Sequence, residues 1–464
     1  MMRSLFAGVS GLQNHQTRMD VIGNNIANIN TTGFKRGRVN FQDMFYQQLQ
    51  GAARPTDVLG GVNPVEVGLG MNIASIDTIH TQGSFQSTGV GTDLAINGNG
   101  FFILDDRGAE VYTRAGNFYL DREGTLVNSN GLRVQGWMAE DVNGVRILDT
   151  SRSLESLVIP IDAKDEARET TMVFFACNLD KRTPEIADDA TEDEIRAGAW
   201  STSINIYDSF GDLHVTRVVF TRVPGTNNSW QGEVIVNPDS EIPTNTSVGL
   251  GDDPPAPGGP TVFVVNFDNN GLLMSIVDAA GNESAAGSLI MNVAYDLQSA
   301  NPEDDGTMTR HNFQLNLGSV GGLTNSMTQF AERSSTRINE QNGNPMGYLE
   351  NFRIDSAGVI TGIFDNGNLR VIGQIGMASF TNQGGLEKVG DNNYRMTTNS
   401  GNANIGTSGL AGKGFIQAGV LEMSNVDMAD QFTDMIITQR GFQANSRTIQ
   451  TADQMLQELL TLKR

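Results

Sequence analysis

The sequence has little of several features that usually mark a chemistry or a compartment. It has one cysteine, Cys177, so no disulfide can form within the chain. No run of about eighteen apolar residues occurs, which excludes a membrane-spanning helix. Its four histidines, His15, His80, His214 and His311, lack the spacing of a metal site, and there is no P-loop pattern. We therefore predict no bound metal, no cofactor and no enzymatic activity on a substrate.

Basic residues are also scarce. The chain has 31 Lys and Arg against 53 Asp and Glu, for a net charge of −22. Nucleic acids and anionic membranes are polyanions, so this balance disfavours both as partners. The acidity is concentrated in residues 169–324, which contain 22 acidic and 6 basic residues. We interpret it as a solvated surface that keeps the protein soluble.

The N-terminus lacks the pattern of a cleavable signal peptide, because its apolar stretch is short and is interrupted by Gly11, Gln13 and Asn14. A cleavable secretory route is therefore not expected. With 464 residues the chain is long enough for two to four domains. Its 53 glycines and 18% charged residues are typical of a turn-rich β protein.

Both ends of the chain carry an apolar residue at every seventh position, which is the spacing of a coiled-coil seam. The seam residues are Leu5, Leu12, Met19, Ile26, Leu421, Met428, Met435, Phe442, Ile449 and Leu456. A seam must bury its apolar row, so each end needs a helical partner, and we expect the other end and further copies of the chain to supply it. The alternative is a pair of surface helices on an ordinary core, which predicts a wider stripe with a period of about 3.6.

Between the ends the apolar period changes to two, and turn signals separate short strands. The stretch from Asp93 to Leu104 reads as two strands around an Asn-Gly turn, and similar signals return in residues 352–380. We also expect a short acidic helix in residues 185–198. The sequence therefore predicts a mainly β protein with terminal α-helices and nested β domains. The predicted parts are a terminal helical coiled-coil domain (1–30 and 419–464), a connector (31–71 and 411–418), an outer β domain (72–168 and 325–410) and an inserted acidic β domain (169–324).

Several separated motifs resemble the axial proteins of the bacterial flagellum. They are Ser4-Leu5-Phe6-Ala7-Gly8-Val9-Ser10-Gly11-Leu12, Asn24-Asn25-Ile26-Ala27-Asn28, Thr32-Gly33-Phe34-Lys35 and Gly441-Phe442-Gln443-Ala444-Asn445-Ser446-Arg447. The stretch from Thr92 to Phe102 is similar to the rod and hook subfamily. The large insert favours the hook proteins over the shorter rod proteins, and residues near Cys177 resemble the spirochaete branch.

The resemblance implies a structural subunit that polymerises into a flexible helical tube and transmits torque from rod to filament. It implies self-association, contacts with rod, hook cap and hook–filament junction proteins, and export through the flagellar type III apparatus. The implied location is the flagellar hook, extracellular in general and periplasmic in spirochaetes. A flagellar rod protein is the nearest alternative. A secreted β-rich adhesin or binding protein is an alternative of another class.

For the spirochaete branch the resemblance also implies a lysinoalanine bond between neighbouring subunits. The matching positions are Cys177, Lys164 and Asn178, with Asn178 assisting. The bond requires loss of the thiol and of the Cys177 α-proton, followed by addition of a neutral lysine amine. A free lysine has a pKa of about 10.4, so its site must disfavour the charged form. The alternative is a buried cysteine that acts as a small apolar residue on the strand face of Val173, Phe175 and Leu179.

Overall fold

The computed structural model describes residues 2–52, 54–55, 60–142, 145–161, 163–186, 198–226, 228–238, 244–250, 255–298 and 308–461. Long helices stand at both ends, α1 at Met2–Ala27 and α2 at Met428–Thr461. Most of the regular structure described between them is β-strand, which confirms the predicted fold class. Most of the predicted acidic helix, positions 187–197, lies outside the described residues.

The strands are short and run through the whole of the middle of the chain. In order they are β1 Gly37–Asp43, β2 Tyr46–Gln50, β3 Val65–Gly68, β4 Met71–Thr78, β5 Phe85–Ser87, β6 Leu94–Asn97, β7 Phe101–Asp106, β8 Ala109–Thr113, β9 Tyr119–Leu120, β10 Leu126–Val127, β11 Arg133–Val142, β12 Val145–Leu148, β13 Glu155–Ser156, β14 Lys164–Asp165, β15 Met172–Asn178, β16 Ala199–Tyr207, β17 Leu213–Arg222, β18 Ser229–Val236, β19 Asn245–Gly249, β20 Val262–Phe267, β21 Leu273–Asp278, β22 Glu283–Ser284, β23 Ser288–Gln298, β24 Met308–Ser319, β25 Ser335–Gln341, β26 Gly347–Ile354, β27 Val359–Phe364, β28 Leu369–Ile375, β29 Met377–Ser379, β30 Glu387–Gly390, β31 Asn393–Arg395, β32 Asn404–Gly406, β33 Phe415–Ala418 and β34 Val420–Glu422. A 3-10 turn spans Gln383–Gly385.

The chain divides into two compact units. Unit 1 comprises Met1–Asp162, Leu349–Ile363 and Asn368–Arg464, and unit 2 comprises Ala163–Tyr348 and Phe364–Gly367. Each unit is thus assembled from separated parts of the chain. The four-part division made from the sequence stays a prediction.

Unit 1 contains both helices and a sheet in which β27, β28, β11, β7, β8, β31 and β30 follow one another. Side chains of its strands form a buried core that includes Leu94, Phe102, Phe118, Ile360 and Ile375. Four further strand pairs lie outside this sheet: β1 with β4, β2 with β3, β5 with β34, and β6 with β33. The last two pairs tie the C-terminal segment to the early part of the chain.

Unit 2 is built from a six-stranded sheet, β16-β17-β18-β20-β21-β22, and a five-stranded sheet, β19-β23-β24-β15-β25. Strands β15 and β20 alternate strictly between buried and half-exposed positions. The buried positions of both sheets form one apolar core, which includes Phe175, Phe220, Trp230, Phe263 and Leu315. The period of two that is visible in the sequence therefore identifies the inward face correctly.

One turn design recurs throughout the described chain. In each case the side-chain oxygen of an Asp or Asn accepts hydrogen bonds from the backbone N–H groups two and four residues later. The residue three positions after the Asp or Asn is a glycine with a positive φ. The leading residues are Asp121, Asn128, Asp208, Asp268, Asp278 and Asp355. Because an L side chain rarely adopts that φ, glycine is required there.

The Asn97–Gly100 turn differs from the hairpin that the sequence predicts. Strand β6 pairs with β33, whereas β7 pairs with β8, β11 and β29. A type I′ Asn-Gly turn needs a positive φ at both central residues, and neither Asn97 nor Asn99 has one. The backbone carbonyl of Asn99 instead accepts a hydrogen bond from Gly414 N–H at 2.7 Å. The turn therefore carries the chain from one sheet to another.

Candidate assembly and crosslinking sites

Helices α1 and α2 pack side by side through small residues. A methyl group added at Gly11 would lie 2.5 Å from the Asn445 side chain, and one at Gly8 would lie 3.0 Å from Ile449. On the other helix, a methyl group at Gly441 would lie 2.8 Å from the His15 ring. Glycine at these positions lets side chains of one helix pack directly against the backbone of the other. The contact is therefore narrower than the leucine-rich seam of a typical coiled coil.

Polar side chains complete the contact between the helices. The buried Asn25 amide donates to Gln431 Oε1 at 2.9 Å and to the Gly37 carbonyl at 2.9 Å. Arg18 Nη2 pairs with Asp434 Oδ1 at 3.0 Å. A buried amide pair requires its partner in one register, so these bonds fix how α1 lies along α2.

The predicted seam residues lie partly buried rather than in a closed seam. Eight of them are half-buried: Leu5, Leu12, Met19, Ile26, Met435, Phe442, Ile449 and Leu456. Met428 is exposed. Their role as an assembly seam stays a prediction.

Leu421 is a correction to the predicted helix, because it lies on strand β34 opposite Gln86 of β5. The helix begins seven residues later. The Asp427 carboxylate accepts hydrogen bonds from the N–H groups of Ala429 at 2.8 Å and Asp430 at 3.3 Å, which makes Asp427 the N-cap. Leu421 matched the seven-residue row only because a strand residue happened to stand seven positions before Met428.

Large apolar side chains remain exposed on both helices. They are Phe6, Val9, Met428, Phe432, Ile436, Ile437, Met455 and Leu460. Met428, Phe432 and Ile436 recur at every fourth position and so share one face of α2. A single chain leaves this face in water, and a contiguous exposed apolar surface usually marks a contact with another molecule.

A buried ionic cluster holds the bases of both helices to the β structure of unit 1. Lys35 Nζ lies 2.6 Å from Glu422 Oε1, and Arg114 Nη1 lies 3.2 Å from Glu422 Oε2. The side chains of Lys35 and Glu422 are fully buried, and that of Arg114 is 3% exposed. Burial lowers the pKa of Lys35 and of Arg114, and the Glu422 carboxylate acts against that shift in both.

Backbone carbonyls accept further hydrogen bonds from the two cations. Lys35 Nζ donates to the Thr81 carbonyl at 2.8 Å, and Arg114 donates to the carbonyls of Ile96 and Gly98. His80 lies beside the cluster. Burial, followed by the charges of Lys35, Arg114 and Lys388, lowers its pKa from 6.5 to about 4, so His80 is neutral in the folded protein at neutral pH.

Cys177 is buried in the core of unit 2, with 6% of its surface exposed. Burial raises the pKa of its thiol, so the reactive thiolate is suppressed. Its carbonyl accepts a hydrogen bond from Thr328 N–H at 2.9 Å. Asn178 Oδ1 accepts from Phe330 N–H at 2.9 Å, and its amide donates to the Glu332 carbonyl at 3.2 Å. Asn178 therefore fixes the segment that runs beside the end of β15.

Lys164 is exposed and lies on the two-residue strand β14. It stands opposite Tyr348 of β26, and its ammonium lies 5.6 Å from the centre of the Tyr348 ring. Its neighbour Asp165 is buried and accepts a hydrogen bond from Asn366 at 3.0 Å. Among the described residues no hydrogen bond or ion pair joins Lys164 to Cys177. Their roles in a crosslink stay a prediction.

The described residues contain neither a metal site nor a membrane-spanning helix. No group of three or more His, Cys, Asp and Glu side chains could hold a metal ion. Neither helix is long and apolar enough to cross a membrane.

Four family models match the chain in order, and all describe rod and hook proteins of the flagellum. They are the flagella basal body rod protein model (residues 5–35), the flagellar hook protein FlgE/F/G D1 domain (95–170), the flagellar basal body protein FlaE D2 domain (178–344) and the flagellar basal body rod FlgEFG protein C-terminal model (417–462). The class is therefore that of the flagellar axial proteins.

Full-length relatives narrow this class. The chain is 58% identical to flagellar hook protein FlgE of Treponema pallidum over all of both chains, and 51% identical to that of Borreliella burgdorferi, again over all of both. It also aligns with the crystal structure of Helicobacter pylori flagellar hook protein FlgE2, with a TM-score of 0.48, 18% identity, and coverage of 72% of this chain and 99% of that chain. The chain belongs to the flagellar hook protein FlgE family, in its spirochaete branch.

Membership of this family makes the protein a structural subunit of the flagellar hook and not an enzyme. It also makes self-assembly into a flagellar structure the property that its surfaces must serve. Motifs at both ends of the sequence identify the family, but none of them indicates the buried ionic cluster. Lys35 stood inside the motif Thr32–Lys35, but no local pattern pairs it with Arg114 or Glu422.

Proposed function

We propose that this subunit polymerises into a flexible helical tube that transmits torque from the rod to the filament. The observation that carries the proposal is the apolar face of Met428, Phe432 and Ile436, which stays exposed when α1 and α2 are paired. A copy of the chain contacts its neighbours through that face while its own helices stay joined by small and polar residues. Contacts of this kind, between different surfaces of identical subunits, build open helical polymers rather than closed rings.

The tube connects to the rod at one end and to junction proteins and the filament at the other, and a cap protein assists its growth. The subunit reaches the growing end unfolded, through the flagellar type III export apparatus. Neither helix of the described residues is long and apolar enough to cross a membrane, and the single cysteine of the sequence cannot form an intrachain disulfide. In a spirochaete the tube lies in the periplasm. Electron microscopy of purified protein tests polymerisation: tubes support the proposal, whereas monomers at high concentration favour a binding protein.

We further propose that Cys177 of one subunit and Lys164 of the next become joined as lysinoalanine. Loss of the Cα proton and of the sulfur, released as hydrogen sulfide, converts Cys177 to dehydroalanine. The neutral Lys164 amine then forms a bond to Cβ, and a proton returns to Cα. The exposure of Lys164 and the lack of a bond between the two residues within one chain favour a link between subunits.

The burial of Cys177 adds a condition to this reaction. A base and an amine reach the Cys177 Cα and Cβ only after the segment beside β15 has moved, and Asn178 holds that segment through Phe330 and Glu332. Assembly is the step that can supply the energy for this movement. The reaction therefore follows polymerisation rather than preceding it.

Mass spectrometry of assembled tubes tests the crosslink. We expect a joined peptide that contains positions 164 and 177 and has lost the mass of one hydrogen sulfide. Cys177→Ala and Lys164→Arg tubes should each lack that peptide and dissociate to monomers in denaturant. Tubes of Cys177→Ala that resist denaturant as well as the parent protein would contradict the proposal.

A further inference from the structure

The Lys35–Glu422–Arg114 cluster contains two cations and one carboxylate. Both cations belong to the first quarter of the chain, whereas the carboxylate stands just before α2. We propose that Lys35 and Arg114 form a receptor for Glu422, and that its entry orders both chain ends in one cooperative step. We call the closed cluster of Lys35, Arg114 and Glu422 the lock. Its formation joins separated parts of unit 1 and does not depend on later crosslinking between subunits.

Without Glu422 the cluster contains two buried cations and no carboxylate. Lys35 then keeps the Thr81 carbonyl, and Arg114 keeps two carbonyls, but two like charges stand close together without a counter-ion. Taking a charge out of water without an opposite charge is among the most expensive changes in a protein. We therefore expect water to reach the Lys35 and Arg114 side chains until the C-terminal segment binds.

Glu422 brings several stretches together through its backbone as well as its side chain. Its carbonyl accepts a hydrogen bond from Gly33 N–H at 2.8 Å, and its carboxylate accepts one from Gly83 N–H at 3.0 Å. Its strand β34 pairs with β5. Three residues later the Asn425 side chain accepts from Arg36 N–H at 2.8 Å and donates to the Ile79 carbonyl at 2.8 Å. Residues 33–36, 79–88, 96–98 and 420–425 therefore close as one group.

The lock also sets the positions from which both helices leave the β structure. Gly33 follows α1 by six residues, with a φ of 69° and no room for a side chain, because a methyl group would lie 2.6 Å from the Ala115 backbone nitrogen. Glu422 precedes α2 by six residues. Fixing residues 33 and 422 against each other brings the two helix ends together, which is the condition for the glycine-lined contact.

Hydrogen–deuterium exchange of the full-length chain tests the lock. Glu422→Gln keeps the shape of the side chain and removes the charge. We expect exchange on the order of 100-fold faster in residues 31–36, 79–88, 94–98 and 420–426, by a similar factor in all four. The matched control is Glu140→Gln, which removes an exposed carboxylate that pairs with Arg152 in the same unit. It should change exchange less than about threefold.

Two results would overturn the proposal. One is faster exchange confined to residues 420–426, which would make Glu422 a local contact only. The other is an effect of Glu140→Gln equal to that of Glu422→Gln.

A second variant keeps the test valid if Glu422→Gln fails to fold. Lys35→Met with Glu422→Gln removes one cation together with the carboxylate and leaves a single buried charge on Arg114. It should fold, and should recover part of the protection lost in Glu422→Gln. A double variant no better folded or protected than Glu422→Gln would show that unbalanced charge is not what the carboxylate relieves.

Discussion

The environment of Cys177 governs what its thiol can do. The side chain lies on the inward face of β15 with Val173 and Phe175, and burial raises its pKa. Both effects protect the sulfur from oxidants and electrophiles while the subunit is free. Cys177 therefore acts as a small buried apolar residue in the free subunit, and the proposed crosslink forms in the assembled state.

We predict that the Cys177 thiol of the free subunit reacts with a maleimide at least about 100-fold more slowly than in denaturant. Reaction requires local opening, because the thiol is buried in the core of unit 2. Mass spectrometry over time measures the rate. An Asn178→Ala variant should react faster than the parent chain, since it loses the hydrogen bonds to Phe330 and Glu332. Equal rates in the folded and unfolded parent chain would contradict the burial.

His80 gives a prediction about pH. Burial and three nearby cations lower its pKa to about 4, so the folded chain binds its proton only well below pH 6.5, where the unfolded chain already holds it. Stability is therefore lost as the pH falls from about 6.5 to about 4. Urea unfolding at several pH values should show that the parent chain loses up to about 3 kcal/mol more over this window than His80→Gln. Parallel pH profiles for the two proteins would contradict the assigned shift.

At the scale of elements, the two helices combine a weak internal contact with an exposed apolar face. Glycines and amides join α1 to α2, while Phe432 and Ile436 stay in water. Because the pair leaves large apolar side chains in water, we expect it to be marginal alone and to become ordered on assembly.

Two glycines of α1 separate close packing from helix propensity. Gly11 faces Asn445 with no space for a methyl group, whereas Gly23 has nothing within 4 Å of that position. Gly11→Ala should weaken the helix pair by about 1–3 kcal/mol and reduce polymerisation. Gly23→Ala should stabilise α1 by about 0.5–1 kcal/mol, because alanine is the better helix former. Circular dichroism and pelleting assays measure both effects. Equal behaviour of the two variants would show that Gly11 does not pack closely against the Asn445 side chain.

The local pattern of the sequence predicts elements better than it predicts their partners. The apolar period identified the two helices and the inward face of β15. Leu421 and the β6 strand were misread because their strand partners lie hundreds of residues away. The cluster at Glu422 was missed for the same reason, since a buried ion pair between distant residues leaves no periodic signal.

In the whole molecule, both ends of the chain belong to unit 1. The ends carry the assembly motifs, and unit 2 carries Cys177 and Lys164. The proposed assembly contacts and the proposed crosslink therefore lie in different parts of the chain. This separation fits a polymer that forms first through reversible contacts and is strengthened afterwards.

The most direct measurement of the account is electron microscopy of the purified protein with and without residues 1–30. Removal of these residues deletes α1 and exposes the face of α2 that packs against it. The strands of unit 1 and all of unit 2 remain. We expect tubes from the full-length chain and none from the truncated chain at the same concentration. Curved tubes of normal diameter from the truncated chain would contradict it.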